Sequence, residues 1–438
     1  MGNYFGTDGV RGEAGSVLNA ELAFKLGYHL EKVLKKPLVV IGYDTRESSE
    51  MLAYSLASGV MASGADVLMA GVVSTPMIAY YTKAKQLTGI MITASHNPYP
   101  DNGIKVFHQG YKLTEKEEDE LEAYLDKPMP SQKQRFGSIK HDNDVQTYYK
   151  NLYKDLALEP INISVGYDSA NGANCFIANN IIGSICDESV QINHEPNGRN
   201  INAECGSMHL DAIKTLIREK QFDIGLSFDG DGDRVLVIDH NQTFYDGDLI
   251  VYAIAKYLKS KNKLNKNTVV LTHMSNLGIL QAFKELGIKT VLTPVGDKYV
   301  TEAIIKNGYS LGGENSGHII LNDYIHTGDG LFVGVFLLNI LQELKVTLKS
   351  YLSDITMYPQ TMVNIKDVNR SVLDTNAYKQ LEREAKKILG NDAKLLVRPS
   401  GTEPVIRVTI SHRESDTVDQ VIKLLVDGIQ NIDKEELK

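Results

Sequence analysis

The 438 residues carry 46 Lys and Arg against 55 Asp and Glu, a formal net charge of −9, with 42% hydrophobic and 23% charged residues. That balance suits a globular chain of a few domains and excludes a general nucleic-acid binder, so an anionic ligand must be caught by local Lys and Arg clusters. Cys175, Cys186 and Cys205 form no CxxC pair, the longest apolar run (331–341) is too short for a bilayer span, and residues 1–8 lack a leader pattern, so a cytoplasmic protein without membrane contact is expected.

Asn19 is an N-cap candidate for a helix that buries Leu22, Leu26, Leu30 and Val33. Leu38-Val39-Val40-Ile41-Gly42 reads as a buried strand and 65–70 as another, and between them 48–63 place Leu52, Leu56 and Val60 at helical spacing. An apolar run ending Gly89-Ile90-Met91-Ile92 leads into Thr93-Ala94-Ser95-His96-Asn97-Pro98. The alternation implies doubly wound α/β layers with active loops at the strand ends.

Val40-Ile41-Gly42-Tyr43-Asp44 returns as Ser164-Val165-Gly166-Tyr167-Asp168, and a third such segment starts at Asn267-Thr268-Val269-Val270-Leu271. Three related α/β domains are expected from this repetition. Residues 128–134 are a polar, Pro-bearing break; helical stretches at 143–156 and 249–264 lead into the second and third domains. From 357–360 the pattern changes. Strands at 394–398 and 405–410 then flank a polar loop. A helix with Val418, Val421, Ile422, Leu425 and Ile429 closes a small α+β domain. The expected divisions are 1–150, 151–252, 253–357 and 358–438.

Four loops carry chemistry. Asp229-Gly230-Asp231-Gly232-Asp233-Arg234 follows a strand at 223–228. Its three carboxylates repel, its glycines let them converge, and a hard cation relieves the repulsion; all-oxygen ligation favours Mg²⁺ over zinc. An EF-hand reading fails, because the twelfth loop position is His240 and flanking helices are lacking. Ser95, at a strand end, is a candidate nucleophile that can carry a phosphoryl group if a cation neutralises the developing charge. Lys105 and His96 nearby are candidates to supply positive charge or assist proton transfer.

In Arg398-Pro399-Ser400-Gly401-Thr402-Glu403-Pro404, hydroxyls and backbone N–H groups stand beside Arg398 and Arg407. Paired arginines and a close-approach glycine read as a phosphate clamp. Glu314, Ser316 and His318 lie among Gly312, Gly313 and Gly317 and suit sugar hydroxyls. Thr7, Asp8 and Arg11 form a further polar turn, with Arg11 able to reach a reacting phosphoryl group or brace the loop.

These four loops, in this order, resemble the α-D-phosphohexomutase family, and the likeness runs over nearly the whole chain. The resemblance implies four domains around a central cleft, one loop from each. It implies a phosphoserine at Ser95 and one Mg²⁺ held by Ser95, Asp229, Asp231 and Asp233. It also implies a sugar-recognition loop at Glu314 and Ser316 and a distal phosphate site at Arg398, Ser400, Gly401, Thr402 and Arg407. Arg234, Lys298 and His318 are further substrate-binding candidates.

The segments 6–12, 200–207, 274–278 and 295–300 are similar to the branch that works on glucosamine phosphates. There Gln is usual where this chain has Asn315, and Arg where it has Lys298. The implied reaction interconverts glucosamine 6-phosphate and glucosamine 1-phosphate through a bisphosphorylated sugar that is both intermediate and activator, in a monomer or homodimer. Its rivals are the same mechanism on glucose or mannose phosphates, a metal-dependent serine phosphatase, and a non-catalytic sugar-phosphate sensor.

Overall fold

A computed structural model describes residues 4–6, 8–127, 135–154, 156, 160–390, 393–399 and 405–436. The polar break at 128–134 lies outside the described residues.

One strand order occurs three times. Leu38–Tyr43, Asp66–Val72, Thr88–Ile92 and Asp101–His108 lie side by side as second, first, third, fourth; the first three are parallel and the fourth is antiparallel to the third. Val165–Asp168, Ser189–Ile192, Ile224–Phe228 and Val235–Asp239 repeat that order and sense. So do Thr268–Thr272, Lys289–Thr293, Leu311–Gly313 and Ile319–Leu321. The short repetition in sequence is therefore a repetition of topology.

The sheets are mixed, and the reason is local. Parallel neighbours need a crossover of a dozen or more residues, whereas a short loop can only turn the chain back. The third and fourth strands are joined by short loops, at 93–100, 229–234 and 314–318. Those three loops hold the nucleophile, the carboxylates and the sugar-loop residues. They occupy equivalent places in three equivalent sheets.

The helices follow their caps and apolar spacing. Leu22 N donates to Asn19 Oδ1 at 3.0 Å, which starts Ala20–Leu34, and Lys35 ends it with a φ of 53°. The buried face is Ala23, Leu26, Leu30 and Leu34, while the expected Leu22 and Val33 are only partly buried. The stripe is rotated because the helix lies across Ser49–Ser63, whose Leu52, Leu56 and Val60 are all buried. The two backbones nearly touch, since a Cβ on Gly59 would fall 2.0 Å from Phe24 O. The apolar run at 331–341 is the core of helix Gly330–Leu344. No described helix is long and apolar enough to cross a membrane.

The chain divides into two compact units, Met1–Met274 with Lys289–Ser353, and Ser275–Ile288 with Asp354–Lys438. The first holds all three repeated sheets. The second has a three-stranded antiparallel sheet in the order Gln360–Lys366, Val405–Ser411, Lys394–Pro399. Its apolar core draws on helices Asn376–Leu389 and Ser415–Glu436, with Val418, Val421, Leu425 and Ile429 buried. The strand Gln360–Lys366 and the helix Asn376–Leu389 complete the small α+β layer expected from the last strands.

Candidate active site

Ser95 follows the strand Thr88–Ile92 and is 1% exposed. Its φ is 53°, in the left-handed region, which costs a non-glycine residue about 1–3 kcal/mol unless its surroundings hold it there. Its Oγ donates to Asp229 Oδ2 at 2.7 Å and lies 3.4 Å from Nδ1 of His96. Thr93 Oγ1 accepts from Ser95 N at 2.9 Å, tying the turn to its own strand. The serine and the acidic loop, far apart in sequence, are thus in contact.

Asp229, Asp231 and Asp233 are all buried, and one oxygen from each lies within 4.8 Å of the others. Among the described residues, Oδ1 of Asp231 and Oδ1 of Asp233 are buried without a hydrogen-bond partner. Burial, then the charges of Asp233 and Asp231, push the Asp229 carboxyl well up. Burial acts on Asp233 the same way, but Lys105 and then His318 outweigh it and hold that carboxyl well down. Converging carboxylate oxygens, two of them orphaned, fit a hard divalent cation.

The loop is braced from several sides. Thr75 donates to Asp231 through its N at 2.9 Å and its Oγ1 at 2.5 Å. Gly330 N reaches Gly232 O at 3.0 Å, and Arg234 N reaches Asp229 Oδ1 at 3.1 Å.

Lys105 is a buried cation. Its Nζ lies 2.9 Å from Asp231 Oδ2, 3.1 Å from Asp8 Oδ2 and 3.6 Å from Asp233 Oδ2. Burial would lower its pKa, but Asp231, Asp8 and Asp233 raise it well above the usual lysine value. Of the two roles expected for Lys105, the geometry therefore favours positive charge over proton transfer. His96 is the reverse case. Burial, then Arg234 and Arg11, push it down to about 4, so it is neutral near pH 7 and able to accept a proton. The expectation that His96 also supplies charge is corrected by its burial first and by those two guanidinium neighbours second. Arg11 pairs with Asp8, and its Nε is buried without a partner among the described residues.

The sugar-loop residues join the same network. Glu314 Oε1 accepts from Gly296 N at 3.0 Å. His318 Nδ1 lies 3.5 Å from Asp233 Oδ2, and its Nε2 lies 3.8 Å from Asp297 Oδ2. Burial opposes a charge on His318, yet Asp233 and Asp297 raise its pKa. Asp297 Oδ2 accepts from Lys112 Nζ at 2.5 Å, and Lys112 also pairs with Asp8. Asp8, Lys105, Asp233, His318, Asp297 and Lys112 therefore close a ring in which acidic and basic side chains alternate.

Among the described residues, Ser316 Oγ is buried without a partner. Arg234 Nε, also without a hydrogen bond, lies 3.7 Å from Asp233 Oδ1. Lys298 Nζ lies 3.5 Å from Glu118 Oε2 and 3.9 Å from Glu115 Oε1, and Lys298 lines a cavity of about 180 Å³ with Lys112 and Asp297.

In the second unit, Arg398 stands directly opposite Arg407, and Arg407 opposite Asn364. Arg407 Nε donates to Asn364 Oδ1 at 3.2 Å. Like charges directly opposite on one face of a sheet repel, and an anion between them removes the penalty. Ser400, Gly401 and Thr402 lie outside the described residues.

The phosphoglucomutase/phosphomannomutase family matches in four consecutive parts: alpha/beta/alpha domain I at 2–131, domain II at 146–242, domain III at 246–358 and the C-terminal domain at 362–427. The chain belongs to this family. A phosphoglucosamine mutase of Shouchella clausii is 43% identical over 98% of this chain and 99% of its own length. That of Bacillus subtilis is 41% identical over 98% and 99%. Among solved structures, a phosphoglucomutase/phosphomannomutase family protein from Burkholderia thailandensis aligns with a TM-score of 0.82 at 22% identity, covering 97% of each chain. N-acetylphosphoglucosamine mutase from Aspergillus fumigatus, solved with GlcNAc-6P and magnesium, aligns at 0.68 and 18% identity over 98% and 96%. These two likenesses concern the fold.

As a member of this family, the chain is an isomerase, a phosphohexomutase. Its site also holds residues that the sequence did not single out. Thr75 and Lys112 touch the charged loops but sit in no recognisable motif; Thr75 opens helix Thr75–Lys85. Asp297 lies in the segment 295–300 and opens helix Asp297–Asn307, but nothing in that segment marks its carboxylate as a site group. Asn364 was hidden because its strand had not been recognised.

Proposed function

We propose that this enzyme interconverts glucosamine 6-phosphate and glucosamine 1-phosphate. The observation that carries the mechanism is the 2.7 Å contact of Ser95 Oγ with Asp229 inside a buried acidic triad. Phospho-Ser95 gives its phosphoryl group to the free sugar hydroxyl. The bond from phosphorus to Oγ breaks as the bond to the sugar oxygen forms, and the hydroxyl proton is left for Oγ. The bisphosphorylated sugar turns over, and its other phosphate is attacked by Ser95 Oγ, whose proton goes to the departing sugar oxygen. Each cycle thus regenerates phospho-Ser95.

Asp229, Asp231 and Asp233, with the phosphorylated Ser95, would hold one Mg²⁺, which when bound neutralises charge on the transferring group. Lys105 adds fixed positive charge beside that group, and Arg11 and Arg234 offer buried nitrogens without partners for phosphoryl oxygens. His96 Nδ1 lies 3.4 Å from Oγ and takes the role of proton acceptor. Glu314 and Ser316 read sugar hydroxyls, with His318 and Lys298 beside them. Arg398 and Arg407, with Ser400, Gly401 and Thr402, take up a phosphate of the substrate. The divisions 1–150, 151–252, 253–357 and 358–438 are proposed as the four domains, a reading that the four consecutive family matches support. Three free cysteines suit a reducing cytoplasm.

The choice of glucosamine over glucose or mannose rests on the curated relatives, which carry the name phosphoglucosamine mutase along nearly their full length. A substrate panel with purified, Ser95-phosphorylated protein tests it. The highest kcat/KM should fall to glucosamine phosphate; a clear win for mannose or glucose phosphate overturns the assignment. Ser95→Ala should lose mutase activity yet still bind sugar phosphate. Retained activity in that variant refutes the phosphoserine cycle.

A further inference from the structure

Ser95 holds a left-handed backbone at φ 53° while its Oγ is aimed at Asp229. Something must impose that conformation, since an L-residue leaves it readily. The contacts of the loop's carbonyl oxygens identify the cause. Arg46 Nη2 donates to Ser95 O and to Asn97 O, each at 2.9 Å. Asn202 Nδ2 donates to the same two oxygens, at 2.9 and 3.1 Å. Two carbonyls of one turn are therefore each held twice, by side chains from two different sheets.

Arg46 is fully engaged. Its Nη1 donates to Pro98 O and, at 2.9 Å, to Asp101 O, and its Nε donates to Asp44 Oδ2 at 2.8 Å. A guanidinium has five N–H groups in a fixed fork, and all of them are used here. The residue is 2% exposed, so it is no surface arginine. A lysine has three donors on one nitrogen and cannot reproduce the fork.

Both anchors trace to the repeated strand ends. Asp44 follows the strand Leu38–Tyr43; besides Arg46 it accepts from Thr93 Oγ1 at 2.7 Å, the hydroxyl that binds Ser95 N. Asp168 ends the equivalent strand of the second sheet. Its two oxygens accept from Ala170 N at 2.8 Å and Gly206 N at 2.9 Å, and Asn202 N bonds Ala170 O at 2.9 Å. The two aspartates of the repeated Gly-Tyr-Asp motif thus lead, by separate routes, to one peptide.

We infer that Arg46 and Asn202 are the positioning residues of Ser95. They lock the peptide planes at 95 and 97 and so set the direction of its Oγ, without touching the reacting atoms. This rests on the reading of Ser95 as the phosphoryl carrier.

The test uses the full chain, phosphorylated at Ser95, assayed well below its melting temperature. Asn202→Gly removes the amide while keeping a residue suited to the native φ of 57°. Arg46→Lys keeps the charge and loses the fork. Each should lower kcat, on the order of a hundredfold for an oxygen displaced by about 1 Å, with KM for glucosamine phosphate unchanged. A brace that only stabilises the fold would lower the melting temperature and leave kcat intact. Should Arg46→Lys fail to fold, Asn202→Gly decides alone. Wild-type kcat in folded Asn202→Gly, or a rise in KM without a fall in kcat, overturns the positioning role. If Ser95→Ala is inactive alongside, only this inference fails; if Ser95→Ala remains active, the phosphoserine reading fails with it.

Discussion

Replacing Asp229 by Asn should make the metal-free protein more stable and the enzyme less active. Through one oxygen each, Asp229, Asp231 and Asp233 lie within 4.8 Å of one another. At that separation a pair of charges repels by about 1 kcal/mol in water and about 3.5 kcal/mol at an effective dielectric of 20. Removing one of three charges cancels two pairs, on the order of 7 kcal/mol before neighbouring cations are counted. Protonation already relieves part of this, because burial and its two neighbours raise the Asp229 pKa well above the usual carboxylate value. The sign follows from that rise. A carboxyl whose folded pKa is raised contributes stability that is full in acid and is lost as pH rises through the folded value.

The variant and wild type should therefore melt alike in acid and diverge at pH 8 in a chelator, with the variant higher. Asn keeps one acceptor oxygen, so it can serve Ser95 Oγ or Arg234 N but not both, and the lost bond takes about 1–3 kcal/mol off the gain. With Mg²⁺ the gap narrows. A ligand at a hundred times its Kd adds about 2.7 kcal/mol to the wild type, and the variant gains little. Melting curves with and without Mg²⁺, together with mutase assays, measure both arms. A variant that melts lower than wild type in chelator at pH 8 and keeps the full Mg²⁺ shift would refute the reasoning.

Arg407→Ala should raise KM for the sugar phosphate about ten- to a hundredfold, from loss of a charge-assisted contact of about 1.5–3 kcal/mol, with little change in kcat; unaltered kinetics remove it from the phosphate site. Asn315→Gln, which restores the residue usual in the glucosamine branch, should sharpen the preference for glucosamine phosphate in a three-substrate assay; an unchanged ratio excludes a role for that position in discrimination. Asp329 caps helix Gly330–Leu344 and accepts from Tyr149 Oη, and burial pushes its carboxyl up to about 7. Stability linked to it should be full below about pH 4 and fall by about 1.4 kcal/mol per pH unit up to the folded value. Denaturant titrations across that range should show a flatter profile for Asp329→Asn; identical slopes would rule the group out.

Much of the site could be read along the chain because its devices are local. A serine after an apolar run, three aspartates spaced by glycine, and arginines flanking a polar loop are patterns within a few residues. The repeat at 40–44 and 164–168 was legible too, since equivalent strands need the same apolar residues and the same terminal aspartate. Helix starts followed from caps such as Asn19, whereas the buried face of Ala20–Leu34 was misplaced because its neighbouring helix, not its own period, sets the rotation.

What the residues alone could not express is which loops meet. Ser95 and Asp229 touch because the third-to-fourth connection falls at the same end of each mixed sheet, and no periodicity encodes how the sheets pack. Burial was equally invisible. Lys105 in sequence is a lysine on a short strand, and only the surrounding Asp8, Asp231 and Asp233 make it a permanent interior cation. His96 reads as a possible source of charge until the fold buries it and sets Arg234 and Arg11 beside it. Arg46 reads as an ordinary arginine after a strand until four loop carbonyls and Asp44 take up its donors. Residue type and strand-end position are properties of the chain. The charge state and aim of a side chain depend on what the tertiary fold places within a few ångströms of it, because electrostatic and hydrogen-bond energies fall steeply with distance and rise with exclusion of water.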